Sequence, residues 1–474
     1  MLSRSLPLSA LRFSSMLLVA VGCGGSNSGE ATSAPTTLGP KIGESTVAQA
    51  AVVAAPFAYD ASCAGRAFSD PKGGGLTYSV TFTPAANGLT AAGGRVSGVP
   101  QKPGVTTARI IATDVKGDTA SQTFTIVAFA AGLQAPTLPA TSFSYSDAAS
   151  PLPAHFLGPG PGGPVIAADN TPATNRTTDA GATLGRVLFH DVRLSANDSV
   201  SCSSCHIQAF GFSDTARFSA GINGGRTTRH AMALANARFY ARAHFFWDER
   251  AATLEDQVLQ PIQNPVEMGL TLQELVAKVS VTPYYAALFR AAFGTADVST
   301  DRISRGLAQY VRSIVSAGSR YDGAFAGGGP PNFGVLTPQE QQGQQIFATA
   351  GCGACHATNG IVSDDVHNTG LDATVTDVGA GGGRFKAPSL RNVAVRGPYM
   401  HDGRFPTLDQ VVGFYDRGVQ PNPNLDGRLR GPGGAPRRLN LDAVQRNALV
   451  AFLGTLTDPG LLTSAKHADP FPRR

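Results

Sequence analysis

The 474-residue chain predicts a multidomain protein, one all-β segment followed by two mainly α, loop-rich units. Three observations carry this. Between about 51 and 130, β-branched runs alternate with glycine and proline turns, the pattern of short strands. A proline- and glycine-rich stretch from Pro136 to Pro164 then interrupts the chain. Beyond it the apolar spacing becomes helical, and Cys-x-x-Cys-His occurs twice. The length suits about three domains.

Taken in order, Arg4 and Arg12 precede the apolar run Met16–Val21, and Gly22-Cys23-Gly24-Gly25-Ser26 comes after it. Residues 1–23 therefore read as a lipoprotein-type signal peptide with Cys23 as the lipidated residue. The alternative is an ordinary signal peptide that leaves Cys23 discarded or free. The run is too short to span a bilayer. The expected place is the periplasm, anchored by lipid alone to a bacterial membrane. Residues 24–50, rich in small polar residues, read as a flexible tether. Strands are expected at Leu76–Phe82, Ala108–Thr113 and Thr123–Val127. With the turns at Gly88 and Gly94–Pro100, residues 51–130 resemble the small immunoglobulin-like sandwiches of bacterial surface proteins. Residues 131–175 form a linker, or a strap lying over the next domain. Helical spacing marks Leu254–Leu259, Leu272–Val279 and Ile303–Ile314. Thr337 is an N-cap with Pro338 at the first helical position, after the break at 326–331. The two units are 176–325 and 332–470.

The repeated motif decides the chemistry. Cys202-Ser203-Ser204-Cys205-His206 and Cys352-Gly353-Ala354-Cys355-His356 are attachment signatures of c-type haem. Each pair of thiols adds to the haem vinyl groups, and His206 and His356 ligate the irons. Half a zinc site or a thioredoxin-like pair would predict no histidine after the second cysteine. Four of the six cysteines are used this way and one is assigned to lipid, which leaves Cys63 alone. No disulfide is expected unless Cys63 and Cys23 both survive processing. The net charge is +5 with no Lys/Arg-rich run, which argues against a nucleic-acid partner.

Further blocks carry a resemblance. Leu184–Phe189, Arg193-Leu194-Ser195, Phe246–Ala252, Pro261–Met268, Pro388–Val393 and Pro398–Gly403 are similar to bacterial di-haem cytochrome c peroxidases, in the same order over about 176–470. The resemblance implies two cytochrome c-like α domains whose haems face a shared interface. It puts Trp247 between the haems as an electron bridge; the plainer reading is a core aromatic. It makes Glu267 the distal acid–base residue, with Gln257 as a hydrogen-bond donor and Pro261 as a wall. The plainer reading of Glu267 is an interdomain salt bridge.

Two positions depart from the peroxidase pattern. The displaceable distal histidine falls at Ile222, which cannot bind iron, so the segment Ser219–Arg226 is similar to the MauG branch. His230 is the nearest alternative ligand, at a position where the family has an asparagine helping to hold a calcium ion between the domains. The second haem's methionine position falls on Tyr415, as in MauG-type enzymes, with Met400 as the other candidate and a core tyrosine as the plainer reading. Three functions are open on this reading. One is a peroxidase reducing hydrogen peroxide with electrons from a cytochrome c or similar carrier. The second is a MauG-like enzyme that uses peroxide to oxidise a protein or organic substrate. The third is a non-catalytic electron-transfer cytochrome. A homodimer is an assembly the resemblance admits.

Overall fold

A computed structural model describes Cys23 and residues 39–160, 163–327, 329–356, 358–362 and 365–472. The expected signal segment before Cys23 and most of the expected tether lie outside these residues.

The N-terminal module is a two-sheet sandwich. Its strands are β1 (Lys41–Ile42), β2 (Gln49–Val52), β3 (Phe57–Asp60), β4 (Phe68–Ser69), β5 (Thr77–Thr83), β6 (Leu89–Ala92), β7 (Arg95–Gly98), β8 (Gly104–Thr113) and β9 (Thr119–Phe129). One sheet has the order β2-β9-β8-β5, with β2 parallel to β9 and the other pairs antiparallel; the other sheet is β3-β7-β6. Alternate residues Ala108, Ile110 and Ala112 of β8 point inward against Phe124, Ile126 and Tyr59, as a half-buried strand requires. The β8–β9 turn is held by Asp114, whose Oδ1 accepts from Lys116 N and Asp118 N. The module starts earlier than expected. β1 and the first half of β2 lie inside the segment read as tether, because Gln49 and Ala51 are buried where β2 pairs with β9.

The two cysteines on which a disulfide was made conditional lie together in the sandwich. Cys23 and Cys63 form a disulfide with a Cα–Cα distance of 5.9 Å, ordinary spacing for such a bond. A lipid thioether would need the same Cys23 sulfur, so lipidation and this bond exclude each other. Among the described residues, no helix is long and apolar enough to cross a membrane.

The sandwich is docked on the first α unit. Ala130 N donates to Asp198 Oδ2 at 2.7 Å, and Asp198 pairs with Lys278 at 2.6 Å with both side chains fully buried. Lys278 and Arg193 both lie over the Phe129 ring. Breaking one side of such a pair strands the other charge.

Both α units repeat one arrangement. In the first, helix Asp179–His190, capped by Thr178, crosses helix Thr300–Arg312. A Cβ on Gly185 would lie 2.0 Å from the Gly306 carbonyl oxygen, so the crossing needs glycine. In the second, helix Pro338–Thr349 crosses helix Ala443–Gly454, and a Cβ on Gly343 would lie 1.9 Å from Ala448 O. Thr337 caps the first of these with Pro338 at its start, as the sequence predicts. In each unit the Cys-x-x-Cys-His segment lies in the chain between the two crossing helices, the layout of a cytochrome c domain.

Two boundaries shift. Residues 131–175 are a strap and not a free linker. Tyr145 joins the first core and donates to Lys466 O, while His155 pairs with Asp322 at 2.8 Å. Tyr321 belongs to the second unit's core, ahead of the expected start at 332. The C-terminal tail returns to the first unit, where Leu461 is part of its core and His467 is buried beside Tyr145 and Tyr310.

Candidate active site

Two cavities lie side by side. The first, of about 500 Å³, is lined by Cys205, His206, Trp247, Gln257, Pro261 and Glu267. The second is lined by Cys352, Cys355, His356, Met400, Tyr415 and again Trp247. Residues of both α units thus converge on one indole.

The first motif is a short helix, Cys202–Cys205, with a capping box made by Ser201 and Ser204. His206 comes next, and its Nδ1–H donates to Phe212 O at 3.0 Å. That bond selects the tautomer whose Nε2 is free to bind metal. Burial lowers the pKa of both histidines, that of His356 to about 3, with Arg396 adding to the effect there. Neutral imidazoles are the form that ligates iron.

Trp247 is fixed from three sides. Its Nε1–H donates to His230 O at 2.8 Å, its carbonyl accepts from Lys386 N at 2.8 Å, and His401 stands edge-on at 6.5 Å. His401 in turn stacks flat on Phe385 at 3.6 Å. His230 N donates to His401 O, so one backbone residue ties the indole to the second unit. The His230 ring is occupied elsewhere, with Nδ1 at 3.1 Å from Ala216 O and Nε2 at 3.1 Å from Ser213 Oγ.

Glu267 hangs from a tight turn. Asn264 Nδ2 donates to its Oε1 at 2.8 Å, and the Asn264 carbonyl accepts from the 267, 268 and 269 amides. Burial raises the Glu267 pKa, while Arg250 and Asn264 pull it back. Ile222 is in the core, not the cavity. Its N–H donates to Glu267 O, and a Cβ on Gly221 would lie 1.8 Å from Val266 O. The loop that lacks a histidine therefore braces the glutamate's backbone. Among the described residues no cluster of three or more His, Cys, Asp or Glu side chains gathers here, and Asp248 and Asp377 are bridged by Arg229 at 2.6 and 2.7 Å.

Tyr415 lies on a π-helical turn, Phe414–Gly418, that continues helix Leu408–Gly413. Such widened turns are frequent at functional positions. Burial pushes its hydroxyl pKa well above the usual value, with Cys355 and Cys352 contributing.

The cavities fit haem c. None of the four motif cysteines is spent in a disulfide, and two further groups give a positive test. Lys386 is buried, lines both cavities, and lies 3.5 Å from the Tyr240 ring centroid; its Nζ donates to His244 O. Burial lowers its pKa to about 7. Arg396, buried in the second cavity, donates to Ser389 O and is lowered to about 10 by burial. Among the described residues neither cation has a carboxylate within salt-bridge distance, an arrangement that costs stability unless an anion arrives. A haem carries two propionates. Sequence spacing gave no sign of either residue's role, nor of Asn264's.

The family models match in the same order. A putative Ig domain covers 39–129, a di-haem cytochrome c peroxidase model 179–329 and a cytochrome c model 340–457. The methylamine utilization protein MauG of Methylorubrum extorquens is 33% identical over 305 residues, covering 62% of this chain and 82% of that protein. The chain belongs to the di-haem cytochrome c peroxidase and MauG family. The cytochrome c551 peroxidase of Nitrosomonas europaea is 32% identical over 288 residues, 58% of this chain and 79% of the relative. The crystal structure of a MauG-like protein associated with microbial copper homeostasis superposes with a TM-score of 0.57 at 32% identity, covering 68% of this chain and 98% of the other. This family member is a cytochrome c peroxidase-like, di-haem oxidoreductase with an Ig-like module in front. Of the three functions considered, the non-catalytic carrier is set aside, since the named relatives are enzymes.

Proposed function

We propose that the chain is a periplasmic peroxidase that reduces hydrogen peroxide to water with electrons from a small redox protein. The observation that carries this is the gathering of Glu267, Gln257 and Pro261 in the His206 cavity, while both ring nitrogens of His230 are engaged by Ser213 Oγ and Ala216 O. When bound, the haem pair supplies the two electrons that peroxide reduction consumes. The chain's own part is proton handling and spacing. Glu267 Oε takes the proton from one peroxide oxygen and returns it to the departing oxygen, and Asn264 holds that carboxylate in place. Gln257 offers a hydrogen bond and Pro261 limits the space. Trp247, wall to both cavities, is the short path for electrons between them.

The test is the spectrum of the diferric protein with a peroxide titration. A high-spin component that peroxide abolishes is expected, followed by turnover of a reduced cytochrome c. Two low-spin haems unmoved by peroxide would refute the reading.

One observation favours the MauG-like alternative, in which a protein or organic group supplies the electrons: Tyr415 lines the second cavity with His356. A tyrosinate ligand favours the oxidised states of iron, opposite to methionine. Tyr415→Phe is expected to alter the low-spin bands of the second haem. An unchanged spectrum would hand the ligation to Met400 or another group.

A further inference from the structure

We propose that the loop 427–438 is the docking surface for an acidic electron-donor protein, resting on the peroxidase reading above. The loop carries Arg428, Arg430, Arg437 and Arg438, and no acidic residue occurs between Asp426 and Asp442. Among the described residues only Arg428 has a carboxylate partner, Asp426. Arg430 donates to Leu425 O and Pro423 O, and Arg438 to Val419 O. These bonds set the guanidinium groups in place without cancelling their charge. Arg428, Arg430 and Arg438 are exposed, and the four arginines line one surface basin.

The position of this charge matters. Arg428 Nη1 donates to Ala354 O at 2.8 Å, and Arg437 Nη1 lies 3.0 Å from where a Gly351 Cβ would be. The loop therefore lies on the Cys352–Cys355 segment, and Arg428 and Arg437 line the second cavity as well as the basin. Cysteine thioethers attach at the vinyl edge of a haem, and the propionates leave from the opposite edge. The propionates are thus poorly placed to neutralise these arginines, whereas the buried Lys386 and Arg396 suit them. What remains is a positive rim beside the covalently held edge of the second haem. A fixed positive rim raises the encounter rate of negatively charged partners and fades with salt. A nucleic acid or lipid surface would meet the charge but could deliver no electron.

The test uses the holoenzyme with three reduced donors: a carboxylate-rich plastocyanin, a lysine-rich cytochrome c and uncharged hydroquinone. Binding is read separately with redox-inert, cadmium-substituted plastocyanin. The kcat/KM for plastocyanin is expected to exceed that for cytochrome c and to fall at least ~10-fold between about 20 and 300 mM salt. The double variant Arg430→Glu/Arg438→Glu should lower plastocyanin kcat/KM and raise its Kd by at least ~10-fold at low salt, sparing hydroquinone turnover. Arg430→Lys/Arg438→Lys, which keeps the charge, should stay within about twofold on both readouts. If the Glu variant leaves plastocyanin Kd and rate unchanged, or if both protein donors respond alike to salt, the docking surface is refuted. Should hydroquinone turnover be missing even in the unaltered enzyme, the peroxidase reading fails. The cadmium-plastocyanin Kd then decides the surface alone, upheld by loss in the Glu variant and refuted by no change.

Discussion

Glu267→Gln is expected to lower kcat/KM for peroxide by about 10²- to 10⁴-fold while leaving both haems attached, the scale of a lost general acid–base group. The substitution isolates proton handling. Glutamine keeps the length of the side chain, and its carbonyl can still accept the bond that Asn264 now gives to Oε1. What is lost is a site that can be charged and discharged. The pH profile should show the same group. Burial raises the Glu267 pKa, so the carboxylate that must accept a proton is lost as pH falls through a value above the usual carboxylate range. The unaltered enzyme should therefore lose activity on the acid side with an apparent pKa displaced upward, and the variant should lack that limb. A variant with unaltered kinetics would remove Glu267 from the chemistry and leave it as a structural carboxylate.

Arg391→Met is expected to destabilise the protein by about 3–5 kcal/mol, the loss seen when one partner of a buried ion pair is deleted. Arg391 is fully buried. It bonds Asp322 Oδ2 at 2.6 Å, Ser319 Oγ at 3.0 Å, Gly360 O at 3.1 Å and Asn359 O at 2.8 Å. Asp322 also accepts from Ser319 N and faces His155 of the strap, so three separate segments meet at one carboxylate. His155 and Arg391 hold the Asp322 pKa far below the usual carboxylate range, against the opposing effect of burial. A depressed carboxylate pKa gives stability that is present above its unfolded value and lost as pH falls toward the folded one. Urea unfolding followed from pH 7 downward should show the unaltered protein losing stability below about pH 4. The variant should start lower and lose less in that range, because its Asp322 has lost the partner that depressed it. Equal urea midpoints for the two proteins at pH 7 would show that the pair is not a structural joint.

Much of the fold was legible because local chemistry and covalent spacing write it plainly. The strands at Ala108–Thr113 and Thr123–Val127 lie within β8 and β9, since alternation of side chains needs only neighbours. The Thr337–Pro338 helix start is a local hydrogen-bonding pattern and was found where expected. The haem motifs are contiguous. The boundaries were less legible. β2 depends on a partner strand more than 70 residues away, and the tail at Leu461 depends on a core formed by the first unit. Cys23 and Cys63 are joined by the sandwich's folding, which no spacing rule predicts.

From sequence alone came the number and kind of prosthetic groups, the order of the domains and the family blocks, because thioether attachment needs its cysteines and histidine side by side. The tertiary structure decided which residues share a cavity. It set Trp247 in the wall of both pockets, engaged both ring nitrogens of His230 with Ser213 and Ala216, and left Lys386 and Arg396 buried with no carboxylate at salt-bridge distance among the described residues. Burial and charge balance are properties of what surrounds a residue in space, and a chain read in one dimension carries no record of that.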